Sequence, residues 1–533
     1  MKRTILSLIL AVFWFAPTLT AQEKPGDPEK LGKVHFPVSC TPAAQQQFDR
    51  AVAMLHSFWV SPAANAFAEV AKSDPDCAMA YWGIAINRRA NPLAGAPDAA
   101  ALKDGWEAVQ KAKSIGPKTE RERDYVAAIG NYYKDWEKLD HQTRVLAYEK
   151  SMEQVYIRYP EDSEAAVFYA LALDEAVTVV PADKNFTRQL KAAAILEKVL
   201  AAQPEHPGAL HYLVHTYDFP PLADRGLSAA RQYGEVAPSV PHPLHMPSHV
   251  YSMLGMWQDS IKSNQAALSV APGYVHALDF MVYAYLQGAQ DGEAKRGVER
   301  SLELQKKQGA AGIANPTGAV LAPYTALAAI PARYAIERGA WAEAAALQSA
   351  PTTPAADAIT YFARAMGSAR SGAMESAQKD IEQLRRIKDE LVRSKQDYWA
   401  QQVEIQRSAA AAWVTYAEGK KDEALRLMRS AADQEDASQK DVAMENRLWP
   451  MRELLGEMLL GVNEPAKALK EFDVSLQSAR NRYRGLYGAA KAAERSGDRE
   501  KARGYYDRLV ALCSYADTER PELVEAKRYL GRK

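Results

Sequence analysis

The chain has 533 residues, 47% of them hydrophobic and 25% charged, with 66 basic side chains set against 66 acidic ones. That is the composition of a folded protein with no net field, and it disfavours nucleic acid or anionic membrane as a partner. One compact core is not expected at this length, so the chain divides into domains or runs as a repeat array.

At the N-terminus, Lys2 and Arg3 precede an apolar run from Ile5 to Ala16, and Leu19-Thr20-Ala21 ends in a small residue. The run is too short to span a bilayer. Residues 1–21 therefore read as a signal peptide, with export to a periplasm or the extracellular space. No later stretch approaches about 18 uninterrupted apolar residues, so no membrane span is expected in the mature chain. Residues 22–40, rich in Pro, Gly, Lys and Glu, read as a leader.

From Thr41 onward the chain reads as paired helices. Apolar residues recur at three and four spacing over Ala43 to Trp59, Ala63 to Lys72 and Cys77 to Arg89. The pattern continues over Leu102 to Ser114, Thr119 to Leu139, His141 to Tyr159, Ser163 to Val180 and Lys184 to Ala202. Pro62, Pro75, Pro117, Pro160 and Pro181 punctuate it. No run of segments alternates as strands do, so the fold class is all-α. Residues 41–308 form a first array and residues 324–533 a second. An insert at 309–323, rich in Pro and Gly, either bends the array or folds over its groove.

Three cysteines are present. Cys40 precedes the first hairpin and Cys77 opens the second, and neighbouring hairpin starts lie close in a stacked array. An oxidising compartment would let them pair, the alternative being buried free thiols. Without a C-x-x-C, a redox-active dithiol has no support.

The register is clearest between Pro204 and Tyr285. Pro204, Pro238 and Pro272 stand thirty-four residues apart, as do Leu210, Leu244 and Leu278, and Tyr217, Tyr251 and Tyr285. Later, a glycine followed five residues on by alanine marks hairpin turns at Gly339/Ala344, Gly372/Ala377, Gly419/Ala424, Gly461/Ala466 and Gly497/Ala502. Glycine permits the turn, and the small residue lets the second helix approach the first. A thirty-four-residue helical hairpin with such turns and a terminal proline resembles the tetratricopeptide repeat. The motifs D-P-D-C-A-M-A-Y-W-G-I-A, H-Y-L-V-H and H-M-P-S-H-V-Y are also similar to a group of exported bacterial tetratricopeptide proteins without a settled activity. The resemblance implies a right-handed solenoid whose first helices line a concave groove.

Ten histidines occur, six of them between His206 and His249, and none after His276. His211 and His215 share one helix face, and His245 and His249 the matching face of the next repeat. Asp279 and Tyr283 are their equivalents one repeat further on. Gly208, His242 and His276 stand one turn earlier in the same helices. Within the resemblance these positions face the groove. Adjacent helices pack ~8–10 Å apart, so His211, His215, His245 and His249 are expected to converge on one ion, with His242, His276 and Asp279 at its edge. Asp218, Tyr283 and His56, in L-H-S-F-W, are further groove-lining candidates. Pro247 interrupts the second pair, so a helix starting there could turn His245 away.

Neutral imidazoles with a carboxylate suit zinc or copper, with nickel or iron also compatible, better than magnesium or calcium. No H-E-x-x-H occurs, so the general base of a zinc protease is missing. Phosphate-cradling glycine loops, G-x-S-x-G and dinucleotide fingerprints are absent too, and no nucleotide is expected. The sequence reads as an exported scaffold that binds a protein or peptide in its groove and carries a histidine-rich metal or ligand site. A metal-dependent enzyme, or a metal carrier or sensor, is the alternative built on the same cluster.

Overall fold

A computed structural model describes residues 29–313, 315–349, 353–440 and 447–532. The expected signal peptide and the first part of the leader lie outside the described residues. Twenty-six helices and no strand are present among them, and no helix is long and apolar enough to cross a membrane. Helices adjacent in sequence pack against one another as repeated hairpins, so the chain is an all-α helical-hairpin solenoid.

Local chemistry sets the helix ends. Thr41 caps Pro42–His56, and Thr119 with Glu122 forms a reciprocal capping box at the start of Glu120–Tyr133. That helix ends short of the expected Leu139, because Asp135 adopts a left-handed φ of 52° and turns the chain. Glycines at the expected hairpin turns do the same: Gly339, Gly372, Gly419 and Gly497 all have φ between 67° and 83°. The Gly461/Ala466 reading needs correction. There Asn463 is the left-handed residue, with φ 64°, and Ala468 five residues later is the buried small one.

In the regular section the first helices of successive hairpins are Pro207–Thr216, then Pro241–His245 with Pro247–Leu254, then Val275–Gln287, and these touch in turn along the inner face. The inner face is not an open groove. The last hairpins turn back onto the middle of the array. Trp257 Nε1 donates to the Asn481 carbonyl at 2.7 Å, and Tyr483 N–H donates to Gln287 Oε1 at 2.9 Å. Arg482, fully buried, pairs with Glu337 and Glu453 at 2.8 Å each and donates to the Tyr283 hydroxyl. Gly255 closes Pro247–Leu254 at φ 68°, and a Cβ there would strike the Arg480 carbonyl, so glycine is what lets the returning hairpin dock.

The insert completes the closure. The helix Asp291–Gly312 breaks at Gly309, and residues 315–321 then run across the inner face to the next helix, Ala322–Glu337. Val60 N–H donates to the Pro316 carbonyl at 3.2 Å, pinning this strap to the first hairpin.

Cys40 and Cys77 form a disulfide with Cα atoms 5.0 Å apart, tying the start of the first hairpin to the second. Cys513 is buried, which pushes its thiol up to about 12. Thiol titration of the unfolded, non-reduced protein should therefore find one free thiol, rising to three on reduction. Reduction should lower stability by about 2–4 kcal/mol for a loop of this kind. Three thiols without reductant would refute the pairing.

Candidate metal centre

Four short helical segments deliver six histidines to one place. Pro207–Thr216 carries His211 and His215, one turn apart on one face. The next repeat's helix is split at Met246, because Pro247 has no N–H and so cannot continue the ladder. Its first piece closes with Met246 N–H donating to the His242 carbonyl at 2.9 Å, and its second opens on Pro247. The break does not turn His245 away, since its Nε2 lies 3.1 Å from His249 Nε2. His276 comes from Val275–Gln287.

The six rings form two triads rather than one four-histidine site. His211, His215 and His242 make the first, and His245, His249 and His276 the second; within each, the candidate ligand atoms all lie within 4.8 Å of one another. His211 Nε2 is 3.0 Å from both His215 Nε2 and His242 Nε2. Three nitrogens bound to one ion at ~2.0–2.1 Å would stand about 3.3 Å apart at tetrahedral angles, so a small relaxation admits a metal. Adding thirty-four to 211, 215 and 242 gives 245, 249 and 276. The second triad is the first one copied by the repeat. His242 and His276, expected at the edge of one site, each complete a triad.

Hydrogen bonds behind the rings fix where the lone pairs point. His211 Nδ1 donates to the His56 carbonyl at 2.6 Å, and His249 Nδ1 donates to Asp218 Oδ2 at 3.0 Å. His245 Nδ1 donates to Asn264 Oδ1 at 2.7 Å; Asn264 Nδ2 is engaged with the Ser260 carbonyl, which orients the amide. A neutral imidazole protonated at Nδ1 keeps a bare lone pair at Nε2. These tautomers follow from the acceptors behind the rings. His245 and His249 thus aim two bare nitrogens at each other, with both side chains buried. Such an arrangement is geometrically compatible with a cation between them. Burial pushes His211 down to about 3 and also holds His215, His242, His245 and His249 below the ordinary imidazole range, so the rings remain neutral ligands.

Each triad is backed by a phenylalanine. Phe58 lies edge-on to His211 with centroids 4.5 Å apart, and Phe280 lies 4.6 Å from His249 and 5.0 Å from His245. Asp218 is a buried carboxylate behind the second triad: burial raises its pKa, but Lys440, 2.8 Å away, and His249 more than offset this and keep it ionised. Tyr274 places its hydroxyl 3.2 Å from His242 Nδ1.

The remaining candidates lie elsewhere. Asp279 is outside both triads, 3.1 Å from the Arg333 guanidinium, and Tyr283 packs against Trp257 and Arg482. His56 belongs to a third buried group, in which Glu164 accepts from His56 Nε2 at 2.8 Å and from His206 Nε2 at 3.0 Å. His206 Nδ1 caps its own helix by accepting from Ala209 N–H, and His56 Nδ1 is 3.0 Å from the Tyr212 hydroxyl. All ring nitrogens of that group are engaged, which makes it a brace that holds the His56 carbonyl against His211. The sequence reading missed Glu164, Asn264, Phe58 and Phe280, none of which is repeated as the same residue at the thirty-four-residue step.

The neutral buried rings carry a pH signature. In the unfolded chain each imidazole takes a proton near 6.5, whereas folded His211 resists until about 3. The unfolded state therefore binds more protons, and stability is present above about pH 6.5 and lost as pH falls toward 3. Denaturant melts of the metal-free protein should show stability falling between pH 6.5 and 4.5 by up to about 1.4 kcal/mol per pH unit for each such ring. A flat profile would contradict the neutral, buried assignment.

No family model matches the chain, and no curated protein matches it. Among solved structures it is similar to a human IFIT1 dimer with m7Gppp-AAAA, at 12% identity and a TM-score of 0.39, covering 82% of this chain and 90% of that one. A human IFIT1 dimer with PPP-AAAA gives 11% identity and 0.37, covering 78% and 87%. A Naa15/Naa10 complex bound to HypK-THB gives 12% and 0.25, covering 91% and 72%. At such values the likeness is one of helical stacking, and it assigns no ligand to this chain.

Proposed function

We propose that this is an exported dicopper protein, with one copper ion held by His211, His215 and His242 and a second by His245, His249 and His276. The observation that carries this reading is the pair of bare, inward-facing Nε2 atoms on buried rings whose outer nitrogens are already bonded. Three imidazoles per ion leave an open coordination position, as redox and catalytic centres require and closed structural sites do not.

Charge selects the metal. All six candidate ligands are imidazoles, which supply no anionic charge, and Asp218, the carboxylate behind the second triad, is paired with Lys440. Two zinc ions would bring four uncompensated positive charges into a buried site, whereas two copper(I) ions bring two. Burial also argues against a carrier, because ions cannot exchange freely through rings exposed by 8% or less. A disulfide between Cys40 and Cys77 supports an oxidising compartment, in keeping with the signal-peptide pattern of residues 1–21. A protein or peptide partner is favoured instead at a separate cleft of about 600 Å3, where Phe219, Trp257 and Tyr398 stand beside Arg447 and Arg480.

Elemental analysis of the purified protein should give two coppers per chain. His211→Ala and His249→Ala should each remove one, and the double variant both, with helical circular dichroism retained. Asp218→Asn should weaken the second site by about 10–100-fold in metal affinity. A full chain that stays metal-free, or copper that survives the double variant, would overturn the reading. For export, N-terminal sequencing of the protein from an expressing bacterium should begin at Gln22; an intact Met1 in the mature fraction would remove that part.

A further inference from the structure

The two triads share a cavity. Ring centroids of His215 and His249 are 6.4 Å apart, and those of His242 and His245 are 6.2 Å apart. Between the triads lies a space of about 40 Å3, lined by His215 and His242 of the first and by His249 and His276 of the second. Met246 and Tyr274 complete the inner wall, and the strap that includes Thr317 lines the other side. A water molecule needs about 10–15 Å3 of such volume. The space therefore has room for a diatomic molecule.

We propose that dioxygen binds in this cavity, bridging the two copper ions; the inference rests on the dicopper reading above. Two one-electron centres face one two-atom site. Each copper(I) gives one electron, so both become copper(II), while O2 gains two electrons and keeps its O–O bond. The step forms copper–oxygen bonds, requires no proton and draws on no outside reductant. Release of O2 returns both electrons to the metals. The described lining consists of imidazoles, amides, hydroxyls, thioether and apolar groups, which suits binding without proton transfer. The overall charge within the cavity is the same before and after, so the buried site meets no new desolvation cost on oxygenation.

The test uses the full chain loaded anaerobically with copper(I), with copper counted before O2 is admitted. The expected result is uptake of one O2 per two coppers, with a new near-ultraviolet or visible charge-transfer band that fades under argon. Ala94→Leu and Ala322→Leu fill the cavity without touching a ligand, and each should keep both coppers and lose at least nine-tenths of O2 uptake (about a tenfold effect). Two coppers with no O2 uptake and no band would overturn this inference while leaving the dicopper reading standing. So would undiminished uptake in both leucine variants with copper retained. A chain that takes up no copper overturns both readings.

Discussion

The constraint on which the site depends is the burial of imidazole nitrogens that face chiefly one another. A backbone carbonyl, an amide oxygen and a carboxylate take the outer protons of His211, His245 and His249. Once those protons are committed, the inner nitrogens can only accept. In water they would be hydrated or protonated at little cost, but here desolvation disfavours the charged form. A bound cation satisfies several such nitrogens at once, and a hydrogen-bonding proton satisfies only a pair. The groups behind the rings therefore set where the inner nitrogens point.

Duplication by the repeat copies the ligands and leaves their supports unlike. His211 leans on a carbonyl at the end of the first helix, whereas its copy, His245, leans on Asn264 in the following helix. His249 has Asp218 behind it, and Asp218 has Lys440. The position one repeat before Asp218 is Lys184, so His215 has no matching carboxylate. A carboxylate behind an imidazole raises its basicity and favours the higher oxidation state of a bound metal. Two ions held there would thus occupy equivalent triads with different electron demand, and the second would be the easier to oxidise.

Much of this was legible in the residues, with a clear boundary. Helical periodicity and the spacing of Pro204, Pro238 and Pro272 are local or near-periodic signals, and they carry the all-α hairpin architecture. The four-spaced pairs His211/His215 and His245/His249 point the right way for the same reason. Their division into two triads was written in the register too, since His242 and His276 are also thirty-four apart. The four-spaced pairs by themselves suggest one cluster, because helix spacing alone does not say which ring meets which. Asp279 shows the converse error: it holds the register of a ligand, but Arg333 from a helix fifty-four residues away draws it into an ion pair. Glu164, Asn264 and Phe58 were out of reach for a similar reason. Glu164 and Phe58 act through contacts between distant segments and Asn264 through the following helix, and no period encodes either kind of contact.

Closure of the solenoid explains why groove positions become an interior. An open concave face would leave the imidazoles wet, and their pKa values near 6.5. Here the returning hairpins are tied at Arg482, whose buried guanidinium is matched by Glu337, Glu453 and the Tyr283 hydroxyl. A buried cation is costly unless fully paired, so this junction specifies one docking geometry more than it adds stability. The strap through Pro316 and Thr317 then seals what the hairpins leave open. Gly208 completes the logic. It holds the repeat position of His242 and His276, but a Cβ there would lie 2.5 Å from His56 Nδ1. A third histidine at that place would displace the brace that aims His211. The series of ligands stops at two triads because the preceding position is given over to positioning them.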